Sequence, residues 1–444
     1  MALVAGSMST SIAGAAALVV ALAACRHSPS DGRSPAPSGP APAASAARPL
    51  LAAPDTFGVV AGVLAFSDPG VVGFSDEQRK DRELFELLER RGVPRDNLTL
   101  LLDARATASS IHDAVERVAE RAPAGSTLFF YYAGHGARDD AGRPYFLAYD
   151  TVGNDHRLFV DDLGRRIRER FRGKRLILMA DCCYSGTLQD IADGSKGYEA
   201  VVLTSADASN LSTENWTFTQ TVIDGLSGDP LADANGDGSV TLGELSEEVA
   251  RAMKHREAQR HGFYVRGVAL SEPLARASAR PASAAGAPFA AGEYVRVNDD
   301  VARVREAGQN ESLVRFYHYS RAEDTRVKNA SLVASSFRAS PQGSKLRVFW
   351  GGKIWDAQVQ RLDGDFMLVT YPGWPSYWDE WILSDRVAAE TGTALEAGKR
   401  VSVEWRGRWY PAIELERAGA RSRIHYVGYD SSWDEWVGPG RIRR

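Results

Sequence analysis

Residues 127–136 read Thr-Leu-Phe-Phe-Tyr-Tyr-Ala-Gly-His-Gly, and residues 175–186 read Arg-Leu-Ile-Leu-Met-Ala-Asp-Cys-Cys-Tyr-Ser-Gly. Each is an apolar run that ends in polar residues and glycine, which is typical of a buried strand in a parallel sheet. Three further apolar runs lie at 57–66, 97–102 and 200–205. Between the runs lie stretches with apolar residues at helical spacing, at 76–91, 108–121 and 160–171. The alternation predicts an α/β domain over residues 55–270, with helices on both faces of a parallel sheet and functional residues at the carboxyl ends of the strands.

Two of these strand ends carry a histidine and a cysteine. His135 lies between glycines, which allow a sharp turn and the close approach of a substrate. Cys183 is a useful nucleophile only as a thiolate, and a neighbouring imidazole would lower its pKa. Taken alone, a glycine-flanked histidine is often a turn residue, and a cysteine at a strand end is usually a small buried group. Their joint position at two parallel strand ends favours a catalytic pair.

The blocks Tyr-Tyr-Ala-Gly-His-Gly and Asp-x-Cys-x-Ser-Gly resemble the signature blocks of metacaspases and bacterial caspase-like peptidases, over about residues 57–270. The separation of base and nucleophile, 183 − 135 = 48 residues, is close to that of caspases. The resemblance implies a cysteine endopeptidase with Cys183 as nucleophile, His135 as base and an oxyanion hole formed by the backbone amides of Gly136 and Cys183. Cys182 should point to the opposite face. No third residue that would orient His135 is evident, so we expect a dyad.

The same resemblance assigns a role to Asp181. In metacaspases the matching aspartate lies in the primary specificity pocket and selects Arg or Lys before the scissile bond, a sound use of a buried carboxylate. The sequence departs from the caspase block Gln-Ala-Cys-x-Gly, which accompanies selection of Asp, so we expect a polypeptide substrate with a basic residue. The alternative is that Asp181 only caps a neighbouring helix.

Residues 233–244, Asp-Ala-Asn-Gly-Asp-Gly-Ser-Val-Thr-Leu-Gly-Glu, match the EF-hand loop pattern. Residues 242–253 are the expected exit helix, whereas 225–232 contain Gly and Pro and predict a poor entering helix. We therefore expect a partial EF-hand that binds a structural or activating Ca²⁺ ion. The alternative is an acidic turn without an ion. We expect no organic cofactor. The expected ligands are Asp233, Asn235, Asp237, Ser239, Thr241 and Glu244.

The C-terminal part is a repeat. Nine of the ten tryptophans lie beyond residue 349, because a unit with Trp-x-Gly and Trp-Asp-Glu-Trp recurs at an offset of 405 − 350 = 55. A linker at 271–290 and an earlier copy without tryptophans precede it, which predicts small barrels at 291–338, 343–388 and 396–444.

These units resemble the tudor, agenet and chromo-barrel group of SH3-like folds, whose eukaryotic members often hold methylated lysine in an aromatic cage. The alternative is that the aromatic residues form each barrel's core. Residues 291–444 hold 23 basic and 21 acidic side chains, so we expect no nucleic acid but a protein or envelope ligand.

The N-terminal residues predict export. An apolar run at 12–24 ends in Leu-Ala-Ala-Cys and resembles a lipoprotein signal, which implies cleavage before Cys25 and lipid attachment to it, although no Lys or Arg precedes the run. Residues 26–54 are rich in Ala, Pro and Ser and predict a tether. We expect a chain anchored to the bacterial envelope by lipid alone; a chance Ala-rich segment is the alternative.

Taken together, the patterns indicate an endopeptidase that is tethered to the envelope and is directed to its ligand by the C-terminal barrels. The competing hypothesis is a catalytically inactive caspase-like scaffold that binds a protein or envelope ligand through its barrels. The presence of both His135 and Cys183 favours the enzyme.

Overall fold

The computed structural model describes residues 49–51, 54–212, 215–280, 282–297, 300–316, 324–334, 338–350, 353–388, 398–405, 408–418 and 421–443. The predicted signal segment, Cys25 and most of the tether lie outside the described residues. Within the described ranges, no helix is both long enough and apolar enough to cross a membrane.

The first part of the described chain is an α/β domain. Its strands are β1 (Thr56–Gly62), β2 (Leu98–Leu102), β3 (Thr127–Ala133), β4 (Gly136–Arg138), β5 (Pro144–Val152), β6 (Asp155–Phe159), β7 (Arg175–Asp181), β8 (Glu199–Thr204), β9 (Ser239–Thr241), β10 (Gly262–Arg266) and β11 (Pro273–Arg276). Its α-helices are α1 (Lys80–Arg90), α2 (Ala108–Arg121), α3 (Val160–Arg170), α4 (Leu188–Gly194), α5 (Thr217–Leu226) and α6 (Leu242–Ala252).

Six strands form the central sheet in the order β10-β8-β7-β3-β1-β2. All neighbours are parallel except β10, which runs antiparallel to β8. The chain moves outward from β1 in one direction to β2 and from β3 in the other to β7, so the strand order reverses between β1 and β3. Open α/β sheets bind ligands beyond the carboxyl ends of the strands at such a reversal.

Alternation along the strands builds a core on each face of the sheet. In β3, Phe130 and Tyr132 pack in the cluster that includes residues of α2, α3 and α4. Phe129 and Tyr131 point the other way, towards α1, α5 and α6. The predicted parallel sheet with helices on both faces is therefore confirmed.

The first predicted strand, 57–66, ends early, at Gly62. Beyond it, the amides of Leu64 and Ala65 donate to the carboxylate of Asp103 instead of a neighbouring strand. The first predicted helix, 76–91, begins late, at Lys80, because Arg79 has a non-helical backbone and its side chain binds the carboxylates of Asp81 and Asp103. Residues 63–79 are thus a long loop over the carboxyl edge of the sheet.

Three small antiparallel sheets follow the α/β domain. The first consists of β12 (Tyr294–Val297), β13 (Asp300–Glu306), β14 (Glu311–Arg315), β15 (Asp324–Lys328) and β16 (Leu332–Ala334). The second consists of β17 (Lys345–Trp350), β18 (Lys353–Asp363), β19 (Phe366–Thr370) and β20 (Glu380–Ile382). The third consists of β21 (Lys399–Trp405), β22 (Arg408–Ala418), β23 (Arg421–Tyr426), β24 (Glu435–Val437) and β25 (Ile442–Arg443).

Each sheet encloses its own apolar cluster, as expected for a small all-β module, and we call them the first, second and third barrels. One boundary differs from the expected linker at 271–290, because Pro273–Arg276 forms β11 and pairs with β9.

Buried ion pairs attach the first barrel to the α/β domain. Arg303 on β13 pairs with Glu248 on α6, and the two side chains are only 5% and 6% exposed. Two further pairs join Arg305 to Asp229 and Arg315 to Asp224. A buried ion pair adds little net stability, but removal of one partner leaves an uncompensated charge, so these pairs fix where the barrel sits.

We predict that Arg303→Leu destabilises the protein by about 3 kcal/mol, because Glu248 would stay buried with only the half-exposed Arg251, 3.7 Å away, to offset its charge. The matched control is Arg326→Leu, which removes a pair with Glu306 whose side chains are 61% and 46% exposed; it should cost less than about 1 kcal/mol. Urea unfolding followed by tryptophan fluorescence measures both. Equal midpoints for the two variants would contradict the docking role.

Candidate active site

The register of β3 and β7 brings the two predicted catalytic segments together. Ala133 pairs with Asp181 at the ends of these adjacent parallel strands, and the chain then runs two residues further to His135 and to Cys183. A Cβ at Gly136 would lie 1.9 Å from the carbonyl oxygen of Cys183, so only glycine fits there. The backbones of the two segments are therefore in direct contact, with the two residues of the expected oxyanion hole side by side.

His135 has an orienting partner that the sequence did not reveal. Its Nε2 lies 2.7 Å from the carbonyl oxygen of Val72, in the loop between β1 and α1. Since a carbonyl only accepts, Nε2 carries the hydrogen, and Nδ1 is the basic nitrogen of the neutral ring. The rings of Phe66 and Phe74 lie 5.2 and 4.4 Å from the imidazole and hold it from the same loop. A backbone carbonyl leaves no mark in the sequence, which is why a bare dyad was expected.

Cys183 is half-buried, and its sulfur contacts a loop that follows β8. The amide of Ser212 donates to Sγ at 3.2 Å, and Sγ lies 3.7 Å from the carbonyl oxygen of Ser212. Burial raises the pKa of the Cys183 thiol, and the amides of Ser212 and Cys183 offset this in part. The neutral thiol is thus the resting form, and a base must take its proton before it can act as a nucleophile.

Cys182 belongs to the opposite face of the sheet. It is 2% exposed and packs in the apolar cluster that contains Ala180 and Tyr132. Burial raises the pKa of its thiol well above the ordinary value. Such a cysteine is an inert core residue.

The remaining residues of the Cys183 block shape the turn. Tyr184 has a left-handed backbone with φ of 56°, a strained conformation for a bulky residue that functional sites tolerate. Ser185 is fully buried, and its hydroxyl exchanges hydrogen bonds with the backbone of Ala206. A Cβ at Gly186 would lie 2.4 Å from the amide of Ala208, so the glycine permits close approach. Both residues tie the nucleophile's turn to the segment 205–212, which we call the cover loop.

Asp181 lies on the other side of the same strand end. Its Oδ2 accepts a 2.6 Å hydrogen bond from the hydroxyl of Thr219, which itself lies 2.6 Å from the hydroxyl of Tyr131. Burial raises the pKa of Asp181 to about 7, although bonds from Thr219 and Ser205 lower it. Thr219 also provides a backbone contact in the first turn of α5, as the helix-capping alternative requires. The carboxylate is therefore both a contact of α5 and a neighbour of the cover loop.

Comparison with known proteins bears on this arrangement. The family model described as the caspase domain matches residues 78–276. We call this matched stretch the caspase domain. Two metacaspases of Arabidopsis thaliana are similar to part of it: metacaspase-9 is 30% identical over 115 residues, and metacaspase-6 is 31% identical over 121 residues.

The extent of these similarities is limited. The matches cover 23% and 25% of this chain, and the chain spans about a third of the length of each relative, 35% and 33%. A crystal structure of a protein from Geobacter sulfurreducens covers 51% of this chain and 100% of its own, at 15% identity and a TM-score of 0.38. That score is too low to assign a fold. The family match nevertheless supports a caspase-like domain at residues 78–276.

The predicted calcium loop, residues 233–244, lies in the C-terminal part of the caspase domain. Thr241, at loop position nine, is the N-cap of α6 and forms a capping box with Glu244, at position twelve. The carboxylate of Glu244 also accepts from the amide of Ala234, and that of Asp233 accepts from Gly236 and Gly238. Position twelve thus folds back over the start of the loop, as the EF-hand pattern requires.

The side-chain oxygens of the loop fit calcium in type and order. In this conformation, however, the carboxylates of Asp233 and Glu244 accept hydrogen bonds from backbone amides instead. In the described part of the chain, no three His, Cys, Asp or Glu side chains are grouped closely enough to hold a metal ion. The entering helix, α5, ends at Leu226, seven residues before Asp233, in keeping with a partial hand. Calcium binding would require the three acids of the loop to regroup.

Proposed function

We propose that this chain is a cysteine endopeptidase in which Cys183 is the nucleophile and His135 the base. The observation that carries the proposal is the contact between the ends of β3 and β7, where Gly136 abuts the carbonyl of Cys183. The adjacent ends of two strands thus carry a thiol, an imidazole and two backbone amides, which are the parts that acyl transfer needs.

The proposed reaction begins when the thiol proton of Cys183 passes to Nδ1 of His135. The carbonyl of Val72 accepts a hydrogen bond from the Nε2–H group and so stabilises the resulting imidazolium. The thiolate adds to the carbonyl carbon of the scissile bond, and the amides of Gly136 and Cys183 receive the negative oxygen. The imidazolium then gives its proton to the leaving amine, and water hydrolyses the thioester. The thiol must first turn away from the carbonyl of Ser212.

Specificity for Arg or Lys before the scissile bond is proposed to come from Asp181. The carboxyl is 9% exposed at the end of β7, two residues before the nucleophile. The hydroxyl groups of Thr219 and Ser205 donate hydrogen bonds to it, but hydroxyl groups do not neutralise its negative charge. A guanidinium would supply that missing charge through strong, charge-assisted hydrogen bonds.

We predict that the full chain cleaves Arg-terminated peptide reporters and that Cys183→Ala and His135→Ala abolish turnover. Cys182→Ala is the matched control, because it removes the adjacent thiol from the apolar core and should retain most of the activity. Release of fluorophore measures turnover. No turnover by the wild type of Arg- or Asp-terminated reporters, or equal turnover by Cys183→Ala, would favour the scaffold hypothesis.

The same assay tests Asp181 through pH. Its pKa of about 7 means that the free enzyme holds a neutral carboxyl below that pH and a carboxylate above it. The ratio of kcat/KM for Arg reporters between wild type and Asp181→Asn should therefore rise as the pH increases through 7, to about 10- to 100-fold, the worth of a charged hydrogen bond. A ratio that stays near one at every pH would leave Asp181 only its contact with α5.

We further propose that the loop at 233–244 binds Ca²⁺ and stabilises the domain. Calcium should raise the free energy of unfolding by about 2.7 kcal/mol when its concentration is a hundred times the dissociation constant. The urea midpoint should rise accordingly. Glu244→Gln should abolish this gain while it keeps the capping box, which accepts Glu or Gln. Midpoints that are identical in calcium and in chelator would refute the site.

The proposed location is the bacterial envelope, through lipid attached to Cys25. The support is the sequence of the apolar run, the box and the tether. We predict that the mature chain sediments with membranes and that Cys25→Ser releases it, which immunoblotting of the two fractions measures. A wild-type chain found in the soluble fraction would contradict the anchor.

A further inference from the structure

The first residue of the cover loop, Ser205, lies beside Asp181. Pairing between β7 and β8 continues past Ala180 and Thr204, because the amide of Ser205 donates to the carbonyl of Ala180 at 3.0 Å. Ser205 is therefore the neighbour of Asp181, and paired residues of a sheet point to the same face. The Ser205 hydroxyl donates to the Asp181 carboxyl. Since Ser205 is fully buried, this bond does not compete with bulk water.

The last residue of the cover loop, Ser212, extends this contact to the nucleophile. The hydroxyl oxygens of Ser205 and Ser212 lie 3.0 Å apart. A hydroxyl has one hydrogen, and that of Ser205 goes to Asp181, so Ser212 is the donor within the pair. The amide of Ser212 donates to Sγ of Cys183 at 3.2 Å. Three contacts thus connect the carboxyl of Asp181 with the thiol of Cys183, and we call Ser205 and Ser212 the serine relay.

The end of the serine relay holds the thiol in an unproductive orientation. The thiol of Cys183 donates to the carbonyl oxygen of Ser212 at 3.7 Å, so its hydrogen points to the cover loop and not to His135. A carbonyl oxygen carries negative charge, which would also repel a thiolate. The amide of Ser212 could stabilise that thiolate, but the carbonyl of the same residue opposes its formation. Ser212 must therefore shift before the proton can pass to His135.

A basic side chain at Asp181 would supply this shift. Hydrogen bonds from a guanidinium to a carboxylate are charge-assisted and about twice as strong as those from a neutral hydroxyl. The Thr219 hydroxyl, 2.6 Å from Oδ2, belongs to the first turn of α5 and is held by that helix, so the Ser205 hydroxyl is the donor that yields to the cation. Ser205 then turns its hydrogen towards Ser212. Because two hydrogens cannot point at each other, Ser212 must leave its present position.

We propose that Ser205 and Ser212 are positioning residues that couple the binding of a basic side chain at Asp181 to the release of the Cys183 thiol towards His135. A substrate with Arg or Lys before the scissile bond would thus unlock the nucleophile. Selection of the basic residue then acts on kcat as well as on KM, as in other cases of induced fit. The inference rests on the proposed peptidase function, in which Asp181 is the specificity residue.

The cover loop supplies a matched control, because a third serine serves only its internal structure. The carboxylate of Asp207 accepts from the amide and the hydroxyl of Ser209 at 2.7 and 2.8 Å and from the amide of Asn210 at 3.1 Å. The Ser209 hydroxyl also accepts from Arg260 at 2.9 Å. Ser209→Ala therefore removes a hydroxyl from the same loop and leaves the three contacts of the serine relay in place.

The test measures the alkylation rate of Cys183 by iodoacetamide, followed by peptide mass spectrometry, so that it does not require peptidase activity. Ethylguanidinium chloride, against equal sodium chloride, should raise this rate about fivefold or more, the lower range of allosteric coupling. Ethylurea, a neutral molecule of similar shape, should have no effect. The acceleration should persist in Ser209→Ala and disappear in Asp181→Asn and Ser205→Ala.

The half-buried Ser212 provides a second variant that does not disturb the core. Ser212→Ala should react at the accelerated rate without the cation, and Ser212→Thr, which keeps the hydroxyl, should restore the dependence on ethylguanidinium. An unchanged wild-type rate, or an equal acceleration in Ser212→Ala, overturns the inference.

Peptide reporters that end in Arg or in citrulline, its neutral analogue, separate this inference from the proposed function. Ser212→Ala should raise kcat for the citrulline reporter about fivefold and leave kcat for the Arg reporter nearly unchanged, because the relay no longer waits for a cation. Alkylation that responds to ethylguanidinium without turnover of either reporter refutes the peptidase and keeps the relay. Turnover of the Arg reporter with alkylation indifferent to the cation refutes the relay alone.

Discussion

The arrangement of the site depends on one backbone contact, that of Gly136 with the carbonyl of Cys183. It exists because β3 and β7 are adjacent, parallel and in register to their last pair, Ala133 and Asp181. A shift by one residue would turn each side chain to the other face of the sheet. Asp181 and Cys182 would then exchange their polar and apolar surroundings, so the packing of both cores fixes the register and thereby the position of the site.

The cover loop adds a second constraint to the nucleophile. Ser185 and Gly186 hold it from the Cys183 turn, and Arg260 holds it through Asp207. Burial by this loop keeps the thiol neutral, while the amide of Ser212 offers a hydrogen bond that would also stabilise a thiolate. A displacement of this loop would therefore change both the access to the Cys183 sulfur and the pKa of its thiol.

The sequence was informative where side chains carry the signal and silent where the backbone does. Apolar periodicity predicted the helix at 108–121 with the bounds that the structure has, and it predicted the strands that end near His135 and Cys183. Val72 and Ser212 act through a carbonyl and an amide, which any residue type supplies. Asp181 was singled out by motif, but its contact with Thr219 depends on tertiary packing. Arg303 and Arg305 were visible in the sequence as two arginines on one short strand, on either side of the fully buried Val304.

The three barrels show how one repeated module can serve different ends. The first copy lacks the tryptophans and instead presents arginines to buried acids of the caspase domain, where a charge without a partner would be costly. The second keeps its rings, and its Ser376 carbonyl contacts Arg260, which in turn pairs with Asp207 of the cover loop. The third keeps its rings and packs on the second. Buried ion pairs therefore attach the first copy to the caspase domain, whereas the other two copies keep exposed aromatic rings such as Trp374 and Trp433 at their surfaces.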